Sequence, residues 1–255
     1  MDAPAAYKLN APRGFGDAIY LRAVVLHLLA RGETVQVFTQ WPHVFKGLPV
    51  KLSKLTEVEY GEEVHFAAAC YQCRIPAIMA LDQFSVICLQ SGITEKVDLQ
   101  LRWTVRNRAL VEKIRQDAAG RPIMLYQPEK VSANPDEKLL RPRREAFEKF
   151  LLEHSDCYRI RLGHPRYAKD HRLPCELDLF GLTRVRDVFD LAVTCDTIFG
   201  EAASYLPIIA QAADKPFTCL FSTRGMAAVN RRHVWVIRPS LIFHKKHLAT
   251  AIFDE

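Results

Sequence analysis

Residues 11 to 40, APRGFGDAIYLRAVVLHLLARGETVQVFTQ, run from a Gly-rich turn through a long apolar segment to a glycine stop and then a β-rich run. Ile19, Ala23, Leu26 and Ala30 recur at helical spacing and predict one buried stripe of an α-helix. Gly32 suits its C-terminal cap, and VQVFT (35 to 39) reads as the strand that follows. Gly14 and Gly16 flank Phe15 in the turn and permit positive φ and close backbone approach. The helix end behind them is a natural seat for an anion. Neither standard phosphate motif is present. The third glycine of G-x-G-x-x-G is replaced by Ile19, and no Gly-Lys-Ser/Thr follows. The turn therefore admits three readings: a nucleotide-binding turn, a plain strand–helix–strand unit, or a catalytic loop carrying Asp17 exposed at its tip. Asp17 also has a purely structural role open to it, the helix N-cap.

Strand-like and helix-like segments alternate through the rest of the chain, a pattern that predicts parallel sheets. HFAAAC and FSVICLQSG read as buried strands or short buried segments, and LRWTVRNRALVEKIRQDAAG as a helix ending at Gly120. RPIMLYQP (121 to 128) is strand-like. RPRREAFEKFLLEHS is an amphipathic helix with Pro142 near its first turn and Phe147, Phe150 and Leu151 on one face. CYRIRLG is a strand, VRDVFDLAVTC a helix, DTIFG a strand and SYLPIIAQAADK a helix, with PFTCLFST and HVWVIRP as closing strands. The polar stretch EKVSANPDEKLLR (129 to 141) follows a strand and precedes a helix. In an open α/β sheet ligands bind at that end of the strands. A hinge is expected near residues 100 to 121, separating a domain of residues 1–110 from one of residues 121–255.

The 255 residues, 49% of them hydrophobic, suffice for one large or two small cores. No apolar run reaches the roughly 18 residues of a membrane span, and MDAPAAYKLN has no signal-peptide pattern. Seven cysteines in an ordinary globular composition fit reduced thiols and a cytoplasmic location. Cys70 and Cys73 form one C-x-x-C with no second Cys or His pair nearby, so no metal is expected. The net charge of +6 is unevenly placed. Seven Lys/Arg and no acid lie between Lys215 and Phe253, and five Lys/Arg against one acid lie in YRIRLGHPRYAKDHR (158 to 172). Such stretches suit an anionic partner or are solvated basic faces.

The Gly-x-Gly-Asp turn leading into an amphipathic helix resembles the start of the ADP-heptose:lipopolysaccharide heptosyltransferase family, a GT-B glycosyltransferase family. The segments RPIMLYQPEKVSANPDEKLLRPRREAFEKFLLEHSDCYRIRLGHP (121 to 165) and FGLTRVRDVFDLAVTCDTIFGEAASYLPIIAQAADKPFTCLFSTRG (180 to 225) are similar to its second half. The resemblance implies two Rossmann-like domains whose parallel sheets face a cleft, with Asp17 and the 200 to 205 turn opposing one another across it. It also implies transfer of a sugar from a nucleotide-activated donor to a hydroxyl acceptor, inverting and metal-independent. No cofactor is expected beyond the nucleotide sugar, which is the substrate. The family carries Asp-Ser/Thr-Gly and then His near the start of one helix. Aligned on Lys215-Pro216, this chain keeps Ser204 but has Ala203, Tyr205 and Ile208 at the other positions. Glu201 is the candidate to replace the missing acid. The E-x7-E pattern of other GT-B enzymes is absent, since Ile209 stands at that spacing from Glu201.

On this resemblance Asp17 is the candidate base that takes the acceptor proton. Gly14 and Gly16 shape the turn and belong to the donor-binding set. Lys138, with Lys130 as substitute, reaches the donor diphosphate; Ser204 and Tyr205 present backbone N–H groups to it. Glu201 binds ribose hydroxyls, and Ser222, Thr223 and Arg224 line the same cleft. The acceptor is expected to be anionic: a glycan, a lipid-linked saccharide or a nucleic acid. The alternative is a degenerate, non-catalytic protein of the same fold that holds a nucleotide or glycan, a reading that the lost acidic and His positions favour.

Overall fold

The computed structural model describes residues 7–11, 14–57, 65–66, 81–127, 144–163, 173–202, 204–222 and 243–254. The chain divides into two compact units, Met1–Leu101 and Arg102–Glu255.

The first unit holds strands β1 (Tyr7–Asn10), β2 (Val35–Phe38), β3 (Lys51–Ser53) and β4 (His65–Phe66). They form a parallel sheet of order β3-β2-β1-β4, with Tyr7 opposite Val35 and Leu9 opposite His65. Helix α1 (Phe15–Ala30) connects β1 to β2. Every residue from Asp17 to Leu26 is buried, so the expected stripe widens to all faces of the helix, while Ala30 at its end is exposed. A helix apolar on all sides must be covered on all sides. The α2 helix described below and the 3-10 turn Pro42–Phe45 both pack against α1. The helix ends on Gly32 at φ +81, with Gly32 N–H donating to Leu29 O and Glu33 N–H to Leu28 O. This is the Schellman arrangement that glycine beyond a C-cap permits.

FSVICLQSG forms a helix rather than a strand: α2 (Gln83–Gln90). Asp82 caps it, accepting from Ser85 N–H at 3.0 Å and Ser85 Oγ at 2.8 Å, and this local cap overrides the apolar, β-prone run. Arg22 of α1 is 2% exposed and donates from Nη1 to Val44 O (2.6 Å) and from Nε to Leu101 O (2.8 Å). Its charge thereby finds carbonyl partners inside the unit.

The second unit contains β5 (Ile123–Tyr126), β6 (Tyr158–Arg161), β7 (Leu177–Asp178), β8 (Thr197–Glu201), β9 (Phe217–Ser222) and β10 (Ala249–Asp254). All pairings are parallel, in the order β10-β9-β8-β5-β6-β7. This is the doubly wound order whose direction reverses between its first and fourth strands, here β5 and β8. Among the described residues, helix α3 (Arg108–Ala118) leads into β5, and α4 (Arg144–Glu153), α5 (Val185–Thr194) and α6 (Leu206–Ala212) lie between successive strands. Met124, Tyr126, Phe147, Leu151, Phe199 and Leu220 share one core cluster, with Phe150 stacked on Phe199 at 3.9 Å. The face predicted for α4 is therefore the one that packs.

Helix α3 starts at Arg108, later than its sequence pattern predicts. Residues 102–107 are held instead by Asp190 of α5, which is fully buried. Its Oδ1 accepts from Trp103 Nε1 (2.7 Å) and Arg106 N–H (3.0 Å), and its Oδ2 from Asn107 N–H (2.7 Å). Trp103 also lies edge-on to Phe189, ring centres 4.8 Å apart. Asn107 then caps α3 by accepting from Leu110 N–H. The predicted strand HVWVIRP, Pro142, most of HFAAAC, and both Cys70 and Cys73 lie outside the described residues.

Candidate active site

Ligands of parallel sheets bind beyond the carboxyl ends of the strands, where the strand order reverses. In the first unit that point is the end of β1, flanked by β2 and β4. The chain there turns through Gly14 into α1. Gly14 is the N-cap, at φ −73 and ψ 138, and Asp17 occupies the third helical position. Two expectations change as a result. Asp17 is not the cap, and it is not an exposed tip: it is 9% exposed. The turn folds so that the carboxylate lies back over the helix end. A Cβ added to Gly14 would stand 2.5 Å from Asp17 Oδ2. Gln83, the first residue of α2, donates from Nε2 to Asp17 Oδ1 at 2.5 Å. Phe15, the first residue of α1, meets Trp41 with ring centres 5.2 Å apart.

The positive end of α1 thus has a carboxylate of its own chain in its first turn. A second negative group placed there would be repelled at short range. The helix end expected to seat an anion is therefore better suited to holding an ionised carboxylate in place. Gly16 occupies the second helical position, within the same turn.

In the second unit the reversal point is the pair β5 and β8. Glu201 is the last residue of β8 and is 2% exposed; Ser222 is the last of β9 and is 5% exposed. Gln127, just beyond β5, is also buried. Burial, with the Glu201 charge adding to it, pushes the Cys219 thiol far up. Ser204 is 5% exposed, donates its N–H to Glu201 O (3.0 Å), and accepts Leu206 N–H on Oγ (3.1 Å). Tyr205 is the N-cap of α6, and burial raises its hydroxyl pKa.

Convergent N–H groups were expected at this helix end. The structure shows Leu206 N–H taken by Ser204, a proline at position 207, and Ile208 and Ile209 N–H donating to Tyr205 O. Proline has no N–H to offer. The amides of Ser204, Leu206, Ile208 and Ile209 thus have partners within the turn and the helix. Lys130, Lys138, Thr223 and Arg224 lie outside the described residues.

Asp17 is brought together with Gly14 and Gln83, and Glu201 with Ser204. Gln83 was not legible as a site residue. The Asp82-x-x-Ser85 cap signals only that Gln83 opens a helix; its place beside Asp17 is a long-range contact. Among the described residues no group of three His, Cys, Asp or Glu could hold a metal ion, and no helix is long and apolar enough to cross a membrane.

No family model matches the sequence, and no curated protein matches it. Solved structures do match by fold. A glycosyl transferase family 9 protein from Veillonella parvula superposes with a TM-score of 0.62 at 9% identity, covering 98% of this chain and 86% of that one. ADP-heptose lipopolysaccharide heptosyltransferase II of Escherichia coli matches with a TM-score of 0.54 at 14% identity, covering 96% and 90%. The dodecameric iron-containing heptosyltransferase TibC, solved in complex with ADP-D-β-D-heptose, gives 0.54 at 10% identity, covering 86% and 61%. The chain therefore has the α/β, parallel-sheet fold of GT-B glycosyltransferases. Within that class it is similar to glycosyltransferase family 9 and the heptosyltransferases, as the opening turn implied.

Proposed function

We propose that the protein is a glycosyltransferase that moves a sugar from a nucleotide-activated donor to a hydroxyl acceptor, with inversion and without a metal. The observation that carries this reading is the held carboxylate of Asp17 at the end of β1, in a fold shared with a heptosyltransferase solved with ADP-heptose. Asp17 accepts the acceptor's hydroxyl proton. The acceptor oxygen then bonds to the anomeric carbon from the face opposite the diphosphate. The bond from that carbon to the diphosphate oxygen breaks, and the electron pair leaves on the nucleoside diphosphate. Attack from the opposite face inverts the configuration. In this reading Lys138 or Lys130 offsets the diphosphate charge, Glu201 meets the ribose, and Ser222, Thr223 and Arg224 complete the donor site.

A second reading keeps the fold and drops the chemistry. Ile208 stands where the resemblance places a histidine, and it is buried at 7% exposure. A non-catalytic protein that binds a nucleotide or glycan is consistent with that loss. Donor turnover separates the two. The full chain is incubated with ADP-heptose and with a panel of other nucleotide sugars, and release of nucleoside diphosphate is followed. Turnover of one donor supports the transferase. Stabilisation by nucleotides, following RT ln(1 + [L]/Kd), with no turnover of any donor supports the binding protein.

A further inference from the structure

We infer that Gln83 is a positioning residue for the Asp17 carboxylate, fixing one oxygen so that the other keeps a single orientation. The inference rests on the reading of Asp17 as the base, and two separate observations support it. First, Gln83 Nε2 donates to Asp17 Oδ1 at 2.5 Å between two buried side chains far apart in sequence. A carboxylate only accepts, so the group facing it must be the amide nitrogen. Second, Gly14 has φ −73 and ψ 138, a conformation open to any residue, so its backbone does not call for glycine. What calls for glycine is space: an added Cβ would stand 2.5 Å from Asp17 Oδ2. One oxygen is thus gripped by an amide, while the other fills the room left by a missing side chain.

Gln83 is not needed to build its own helix. Asp82 and Ser85 already cap α2. An amide also keeps its hydrogen bond at every working pH, because it does not titrate. Donation to the ionised carboxylate favours that form. A preset orientation spares the base from reorganising during proton transfer.

Among the described residues, the other ionisable groups on α1, at the cap of α2 and on the elements packed against α1 are Tyr20, Arg22, His27, His43, Asp82 and Cys88, with Glu95 bonded to His27. Arg22 is held on the carbonyls of Val44 and Leu101, Asp82 on Ser85, and burial lifts the Cys88 thiol to about 12. None of these bonds passes through the Gln83 amide, so its replacement leaves them in place.

The test is a carboxyl-carbon NMR titration of the full chain labelled at aspartate, with Asp17 identified by the resonance lost in Asp17→Asn. In Gln83→Met, similar in length and without a donor, the Asp17 midpoint rises by about one pH unit, the worth of one hydrogen bond to a charged group. A backbone amide spectrum that keeps the wild-type dispersion for residues of the first unit reports an intact fold there. Gln83→Glu, which puts a second acid beside Asp17, raises the midpoint as well. An unchanged midpoint in either folded variant overturns the inference, as does failure of both variants to fold, which would make Gln83 part of the scaffold. The two readings fail separately. Undiminished turnover by Asp17→Asn removes the base and leaves the midpoint shift standing. An unshifted midpoint removes only the role of Gln83.

Discussion

Asp17 and Asp190 are both buried aspartates on connecting helices of parallel sheets, one in each unit, and they are held in different ways. Asp190 has no exposed surface and accepts from three groups of residues 103–107, two of them backbone N–H groups. It is a fastener for the segment leading into α3. Asp17 is 9% exposed, is gripped through one oxygen by the side chain of Gln83, and sets its other oxygen over a glycine. Asp190 ties α5 to the segment that leads into α3. Asp17 ties α1 to α2 at the carboxyl end of the first strand, the end at which parallel sheets bind ligands. Burial alone does not separate the two; their place relative to the sheet does.

The sharpest contrast in stability comes from Asp190→Ala. It leaves three part-buried donors without their acceptor, so the second unit is expected to lose about 3 kcal/mol in urea unfolding. Asp17→Ala is expected to cost much less in the same measurement. Equal losses would erase the distinction between fastener and site.

Gly14→Ala probes the other side of the comparison. The new Cβ forces the Asp17 carboxylate off its place, because the atom it meets is the carboxylate itself. Turnover is expected to fall about tenfold or more, with a stability loss of about 1–3 kcal/mol typical of overpacking. Full turnover would mean that the carboxylate's position does not matter.

The smallest expected effect lies on the exposed side of α1. Glu95 meets His27 at 3.0 Å and also Arg31, and the His27 hydrogen bond, more than Arg31, holds its pKa down to about 2. A carboxylate lower in the folded than in the unfolded state binds fewer protons when folded. Its contribution is therefore present above the ordinary pKa near 4.5 and is lost as pH falls toward 2. The pair is open to solvent and screened by salt, so the effect is small. Thermal melts of wild type and Glu95→Gln should differ at pH 6 and converge near pH 2. A constant difference across that range would contradict the assignment.

The first helix and its glycine stop were legible because the apolar run from Ala18 to Leu29 is too long for a strand and ends at Gly32, although its burial on all faces was not. The alternation of strands and helices fixed the parallel sheets. FSVICLQSG stayed open between a strand and a short buried segment because nine residues are too few to separate helix from strand by period, and the Asp82–Ser85 cap decides the matter locally. The late start of α3 was invisible, since it depends on Asp190, a residue more than eighty positions away. In the candidate site, Asp17 was legible as a residue, but not its burial nor its partner Gln83, 66 positions on. Contacts between distant elements leave no local pattern. The bonds of Ser204 N–H to Glu201 O and of Leu206 N–H to Ser204 Oγ were not legible, because they depend on how the turn after β8 closes.

The central claim is that Asp17 takes a proton in sugar transfer. The direct measurement is turnover of ADP-heptose, or of whichever nucleotide sugar the wild type consumes, by Asp17→Asn beside the melting temperature of the same variant. Asparagine keeps an oxygen to accept from Gln83 and cannot take the proton. Turnover is expected to fall about 10²- to 10⁴-fold, while stability changes by no more than about 1 kcal/mol. Turnover close to wild type, with or without a lower melting temperature, would contradict the account.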